Sequence, residues 1–179
     1  MTQQFDWREL YSAVDQEDNI RLYPMRLEDL VFEERVKMNC FYCKNYNFSW
    51  RCPPKTPQVD YKKMMLEYNQ GLFVKLEMPF DDNNYQEIRA RSTNNLHKAL
   101  LRMEKILWEH DFPLVISFIG GSCKLCKNGC GKERCNNPYA ARMPVEATGI
   151  NVVKSVEKCG IHLSFPPRGS LTRVGLLLW

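Results

Sequence analysis

The sequence predicts an α/β domain: a small mixed, partly parallel sheet flanked by helices, with a cysteine-rich metal-binding edge. Three observations predict it. Leu72 to Met78 alternates like a strand, a long helical pattern covers about 85–110, and an apolar run from Pro113 to Ile119 follows. A strand, a helix and a strand in that order usually form a right-handed crossover between parallel neighbours. The chain closes on Leu171 to Trp179, apolar enough for an interior strand. Seven of the 8 cysteines fall in two short segments, 40–54 and 120–138.

The elements follow in order. Asp6 caps a short amphipathic helix over 6–15, with Trp7, Leu10, Tyr11 and Val14 on one face. Residues 20–38 mix a strand alternation at Ile20, Leu22 and Tyr23 with a helical spacing at Leu27, Leu30, Val31 and Arg35. Pro53-Pro54 stops regular structure, and Thr56 with Pro57 is placed to start a helix lined by Tyr61, Met64, Met65 and Tyr68. Gly71 ends that turn. The helix of 85–110 presents Leu96, Ala99, Leu100, Met103, Ile106 and Leu107 at helical spacing. A helical turn over 144–148 precedes a helix capped by Asn151 and stopped at Gly160. In open α/β sheets ligands gather beyond the carboxyl ends of strands, so the loops at 79–84 and 120–138 are expected at one edge.

With 179 residues and 44% hydrophobic content, the chain supports one core, and 1–179 is read as a single metal-binding domain. A net charge of +4 is too mild to argue for nucleic acid. The start, Met1-Thr2-Gln3-Gln4-Phe5-Asp6, has neither a basic end nor an apolar run, so no secretory signal is expected. No stretch approaches the roughly 18 apolar residues of a membrane helix. A cytoplasmic location is therefore expected. There thiols stay reduced, and a dense cysteine pattern points to metal before disulfides.

The later segment reads Cys123-x2-Cys126-x3-Cys130-x4-Cys135. So close a spacing lets one loop aim its sulfurs at one point, with Gly121, Gly129 and Gly131 expected to supply left-handed turns. The earlier segment offers Cys40-x2-Cys43 and then Cys52 before Pro53. Two metals are candidates. A structural zinc site wants four ligands, often two Cys-x2-Cys knuckles, and Cys40, Cys43, Cys123 and Cys126 would satisfy it. That choice leaves Cys52, Cys130 and Cys135 unexplained. A [4Fe–4S] cluster takes closely spaced cysteines plus a later one, often beside proline. This second reading uses all seven and predicts one or two clusters. Three thiolates in the earlier segment leave one iron without a protein ligand, as catalytic metal sites do. Cys159 or His162 is an alternative closing ligand, although Cys159 reads better as a buried thiol.

Lys124, Lys127, Lys132 and Arg134 flank the later group, and Lys44 and Arg51 the earlier one. Such cations are expected to lower thiol pKa values. Phe41, Tyr42, Tyr46, Phe48 and Trp50 interleave with Lys44 and Arg51 and read as an apolar shell over a cluster. Stacking on single-stranded nucleic acid is the alternative for them. Gly120-Gly121-Ser122 lacks the lysine spacing of a phosphate loop. His97 and His110 read as packing or surface residues, and Asp81-Asp82 as a solvated turn. Arg142 and Glu146, one helical turn apart, are placed to pair or to bind an anion.

These motifs resemble a prokaryotic family of unknown function described as predicted metal-binding proteins. The likeness rests on Cys40-x2-Cys43, Trp50-x-Cys52-Pro53-Pro54, Gly120-Gly121-Ser122-Cys123-x-Leu125-Cys126, Ala141-Arg142 and Glu146-Ala147-x-Gly149-Ile150. It runs from about Val31 to the final strand. It implies a metal-binding protein of archaea and bacteria, many of them anaerobes, and no established reaction. The chain departs from the pattern in having three residues, Lys127-Asn128-Gly129, between the second and third cysteines, and Asn136 rather than arginine after Cys135. Cys159 lies outside it.

Residues and resemblance together predict an iron–sulfur protein with a redox role, or an enzyme with an open cluster site, reacting with a redox partner or a small ligand at the cluster edge. The alternative is a zinc-stabilised binding module for protein or nucleic acid.

Overall fold

The computed structural model describes residues 5–15 and 18–179. Its frame is a four-stranded sheet of β1 (Ile20–Met25), β2 (Gly71–Pro79), β3 (Ile116–Phe118) and β4 (Ser170–Leu178). The strand order is β1-β2-β4-β3, and every neighbouring pair is antiparallel. The expected partly parallel sheet is thereby corrected. β2 and β3 do run the same way, but the C-terminal strand inserts between them, pairing Phe73 with Leu176 on one side and Phe118 with Leu176 on the other. An apolar C-terminal strand is worth most in the middle of the sheet, where both of its faces and both of its edges are covered. Because β2 and β3 share a direction, both still deliver their following loops to the same end.

The helices are α1 (Glu34–Phe41), α2 (Tyr61–Met65), α3 (Tyr85–Glu109) and α4 (Val152–Glu157). α3 covers one sheet face. Leu96, Ala99, Leu100, Met103 and Leu107 pack there against Leu72, Val74 and Leu76. Gly175 allows the close approach, since a Cβ there would lie 2.6 Å from Leu100 Cδ1. The other face carries Phe73, Phe118, Val174, Leu176 and Leu178, covered by Met65, Val145, Ile150, Val156 and Ile161. Alternate residues of β2 and β4 thus serve opposite cores, as the period of two requires.

Local differences from the sequence reading have local causes. The segment after Asp6 is a 3-10 helix, Trp7–Ala13, capped as expected by the Asp6 side chain. The start of α2 moves to Tyr61 because Asp60, not Thr56, caps it, accepting from Lys63 N at 3.0 Å. The apolar run 113–119 yields only a short strand. Phe112 N donates to Leu107 O and Val115 N to Phe112 O, so a tight turn takes up its first half. Among the described residues no helix is long and apolar enough to cross a membrane.

Candidate metal centre

The later cysteine loop is closed at its base. Ile119 N donates to Met143 O at 2.8 Å and Ile119 O accepts from Val145 N at 3.0 Å, so the chain leaves and returns at one point beyond β3. Gly120 makes the exit possible, because a Cβ would stand 2.7 Å from the Val174 carbonyl oxygen. Gly121 and Gly129 hold left-handed turns, with φ +89 and +81. Gly131 does not; it is needed because a Cβ would collide with the Arg134 carbonyl and the Asn136 side chain. Cys123, Cys126, Cys130 and Cys135 all line one cavity of about 410 Å³. Its other walls are the first turns of α3, with Gln86 and Arg89, and part of the earlier segment, with Lys44, Trp50 and Arg51.

Cys40, Cys43 and Cys52 line a second cavity, of about 260 Å³, with Gly121, Ser122 and Glu146. Cys40 lies in the last turn of α1, and Cys43 follows in a turn that closes on Cys40 O at 3.1 Å. α1 is fixed from its start: Glu33 N donates to Gly149 O, Asn151 N donates to Val31 O, and Phe32 bridges to Ile150. The Glu33 carboxylate accepts from Arg35, Lys154 and Asn151, which holds its pKa down at about 2. The two segments are stapled together by Trp50 Nε1 to Gly131 O, 2.7 Å, and by an Arg51 guanidinium nitrogen to Pro138 O, 2.6 Å. Ser122 and Asn45 line both cavities.

Cys40, Cys52 and Cys123 are not acidified as the flanking cations suggested. Burial raises the pKa of Cys40 and Cys123, and pushes Cys52 up to about 11 despite a hydrogen bond from Ser49. Neighbouring thiols add to the rise: Cys52 feels Cys43, Cys40 and Cys123, while Cys123 feels Cys130, Cys135 and Cys126. Any metal that Cys40, Cys52 or Cys123 takes up must displace the thiol proton. Positive charge gathers at the four-cysteine cavity, which Lys124 and Arg89 line. Lys124 is pushed down to about 8 by burial and by Arg173 and Arg89. Its ammonium donates to Ser122 O at 3.0 Å. Amide donors meet the sulfurs: Asn137 Nδ2 lies 3.1 Å from Cys126 Sγ and Asn45 Nδ2 3.7 Å from Cys43 Sγ.

All seven predicted cysteines reach the two cavities, four and three as their spacing grouped them. Several neighbours fall elsewhere. Lys44 and Arg51 border the four-cysteine cavity rather than the three-cysteine one. Phe41, Tyr42 and Phe48 are exposed, so they make no sealed shell; Tyr46 lines the three-cysteine cavity, and Trp50 and the exposed Phe48 line the four-cysteine one. Arg142 pairs with Glu104 of α3, not with Glu146. Cys159 is partly buried against the second core, and neither it nor His162 lines a cysteine cavity. His97 is a buried packing residue whose Nε2 lies 2.8 Å from Ala140 O. Asp81 closes its own turn by accepting from Asn83 N and Asn84 N. Sequence reasoning missed Asn45 and Asn137, which carry no motif, and the burial of Glu146. A lone acid within the otherwise mostly apolar run Met143 to Ile150 was the available signal for that residue.

All eight cysteines are free thiols. Among the described residues no three His, Cys, Asp or Glu side chains are gathered to hold a single metal ion. A tetrahedral zinc with Zn–S about 2.3 Å needs its sulfurs within about 4 Å of one another. A cluster binds each thiolate through a different iron, and so accepts sulfurs spread around a cavity.

Fold and site thus define a small α/β protein with two cysteine-lined cavities at one end of an antiparallel sheet. A family model described as "Predicted metal-binding protein", of unknown function, matches residues 24–179, and the chain belongs to that family. Neither a curated protein nor a solved structure matches it.

Proposed function

We propose that this is an iron–sulfur protein of the cytoplasm. Cys123, Cys126, Cys130 and Cys135 hold one [4Fe–4S] cluster, and Cys40, Cys43 and Cys52 a second with an iron left for another ligand. The observation that carries the reading is the division of seven thiols into two separate cavities, four in one and three in the other. The two-knuckle zinc site is weakened by the same division. Its halves, Cys40 with Cys43 and Cys123 with Cys126, face different cavities.

When bound, such clusters supply one-electron transfer at potentials set by charge and hydrogen bonding. The chain's own residues do the rest. Lys124, Arg89 and Arg173 offset the negative charge of cluster and thiolates. Asn137 and Asn45 donate to sulfur, which favours the reduced form. The Cys52 thiol feels the charge of Cys123, so clusters held at the two sites would be near enough to exchange electrons. A redox partner or small ligand meets the cavities at their open sides.

The test is anaerobic purification with an absorption spectrum and iron, sulfide and zinc analysis. Broad visible absorption that bleaches with dithionite is expected. Stoichiometric zinc without iron ends the proposal. Cys126→Ser should remove the later cluster, and Cys159→Ser should leave iron content unchanged.

A further inference from the structure

We propose that the Glu146 carboxylate is the fourth protein ligand of the three-cysteine cavity, completing a Cys40, Cys43, Cys52 and Glu146 donor set. This rests on the iron–sulfur reading of that cavity and fixes what that reading leaves open, the occupant of the remaining iron.

The placement comes first. Glu146 lies in the 3-10 turn Val145–Thr148, and its carbonyl oxygen is 4.0 Å from Cys40 Sγ. It lines the same cavity as the three thiols, and its charge reaches the Cys40 thiol. The turn cannot drift, because Val145 N is bonded to Ile119 O and Gly149 O to Glu33 N.

The state of the carboxyl comes second. The residue as a whole keeps some surface, but its Oε2 is sealed from solvent and has no hydrogen-bond partner among the described residues. The carboxyl takes backbone hydrogen bonds at Gly121 and Glu146, but Oε2 stays without a partner, and a buried carboxyl oxygen in that state calls for a cation or a donor. The cation in its field is Arg173, whose Nε and one terminal nitrogen donate instead to Ser92 Oγ and Arg89 O. The other residues considered as closing ligands, Cys159 and His162, do not line the cavity.

The chemistry agrees. Three thiolates leave one iron of a cubane without a protein donor, and a carboxylate oxygen is a competent ligand for iron. It is also a harder donor than sulfur and exchanges more readily. The iron it holds is therefore the one a small-molecule ligand would reach.

The test uses the full chain, reconstituted anaerobically with iron and sulfide in a Cys126→Ser background, so that only the three-cysteine cavity is read. With Glu146 in place, the cluster keeps its iron during brief exposure to ferricyanide. Glu146→Gln should lose about a quarter of its iron and keep its sulfide under the same treatment. Glu146→Cys should restore retention. In an otherwise native chain carrying Glu146→Gln, persistence of the later cluster's absorption shows that the fold survives. Full iron retention by Glu146→Gln, at the parent's rate, overturns the assignment while leaving the cluster reading intact. A Cys126→Ser parent that takes up no iron overturns the cluster reading of the cavity itself. Should Glu146→Gln fail to fold, Glu146→Cys decides: retained iron supports the ligand role and lost iron overturns it.

Discussion

The indole of Trp50 donates to the carbonyl oxygen of Gly131 at 2.7 Å, across 81 residues of sequence. That bond joins the two cysteine segments where they share a wall. Lys55 Nζ sits over the same ring, 4.3 Å from its centroid, and fixes its plane. Gly131 can offer its carbonyl there only because it carries no side chain.

Trp50→Phe keeps a ring and deletes the donor. It should cost about 1–2 kcal/mol, because a part-buried carbonyl loses its partner. A lower thermal midpoint and faster alkylation of Cys130 and Cys135 are expected. Unchanged thiol reactivity would show that the loop is held without the staple.

A second long-range tie anchors the same loop. Arg142 meets Glu104 of α3 through two contacts, one of them Nε to Oε1 at 2.7 Å, and Glu104 Oε1 also accepts from Ser117 N at 2.8 Å. The pair locks the loop's return to the helix and to β3. Breaking a buried pair on one side costs about 3–5 kcal/mol; here about 2–3 is expected for Arg142→Ala, because the guanidinium keeps some exposure. Urea denaturation checks it. The double variant Arg142→Met, Glu104→Gln should recover part of the loss, and strict additivity would show that the two side chains do not act as a pair.

What was legible in the sequence follows from range. Cys123, Cys126 and Cys130 are close in sequence, so their place in one loop, lining one cavity, is local and their spacing displays it. The helix Tyr85–Glu109 and the cap at Asn151 are local too. Strand order is not. Alternation marks Leu72 to Met78 and Leu171 to Trp179 as strands but is silent on which lies beside which. The apolar run of β4 marks it as interior, but nothing in it names β2 and β3 as its neighbours. The same holds for Trp50 with Gly131 and Arg142 with Glu104, where the nearer partner, Glu146, looked adequate by helical spacing. The acidity of Cys40, Cys52 and Cys123 was misjudged for a related reason: charge is visible in sequence, while the burial that outweighs it is tertiary.

Lys124 gives a test of the electrostatics. Its ammonium is half-buried beside Cys123 and Cys52, both of which draw its proton on, while Arg173 and Arg89 repel it. Removing a positive charge disfavours an added electron. With an effective dielectric of about 20, a unit charge near the cluster shifts its potential by several tens of millivolts. Lys124→Gln should therefore lower the potential of the later cluster by that amount, read by spectroelectrochemistry at pH 7. A potential that stays put would mean that solvent, not Lys124, offsets the cluster's charge.

The last prediction concerns pH in the metal-free protein. An ordinary thiol has a pKa near 9.0, whereas burial pushes that of Cys52 to about 11. The folded chain thus keeps a proton that the unfolded chain releases between these values. Stability from this source is complete below about pH 9 and is lost as the pH climbs through about 11. Cys40 and Cys123, raised by the same cause, act with the same sign. Thermal midpoints should fall between pH 9 and 11, and less steeply in Cys52→Ala. Metal loading requires that proton to leave, so uptake near neutral pH should release protons and tighten as pH rises. A proton count during anaerobic loading, with and without Cys52→Ala, reads that release directly. Equal counts in the two proteins would remove Cys52 from the set of thiols that give up a proton to metal.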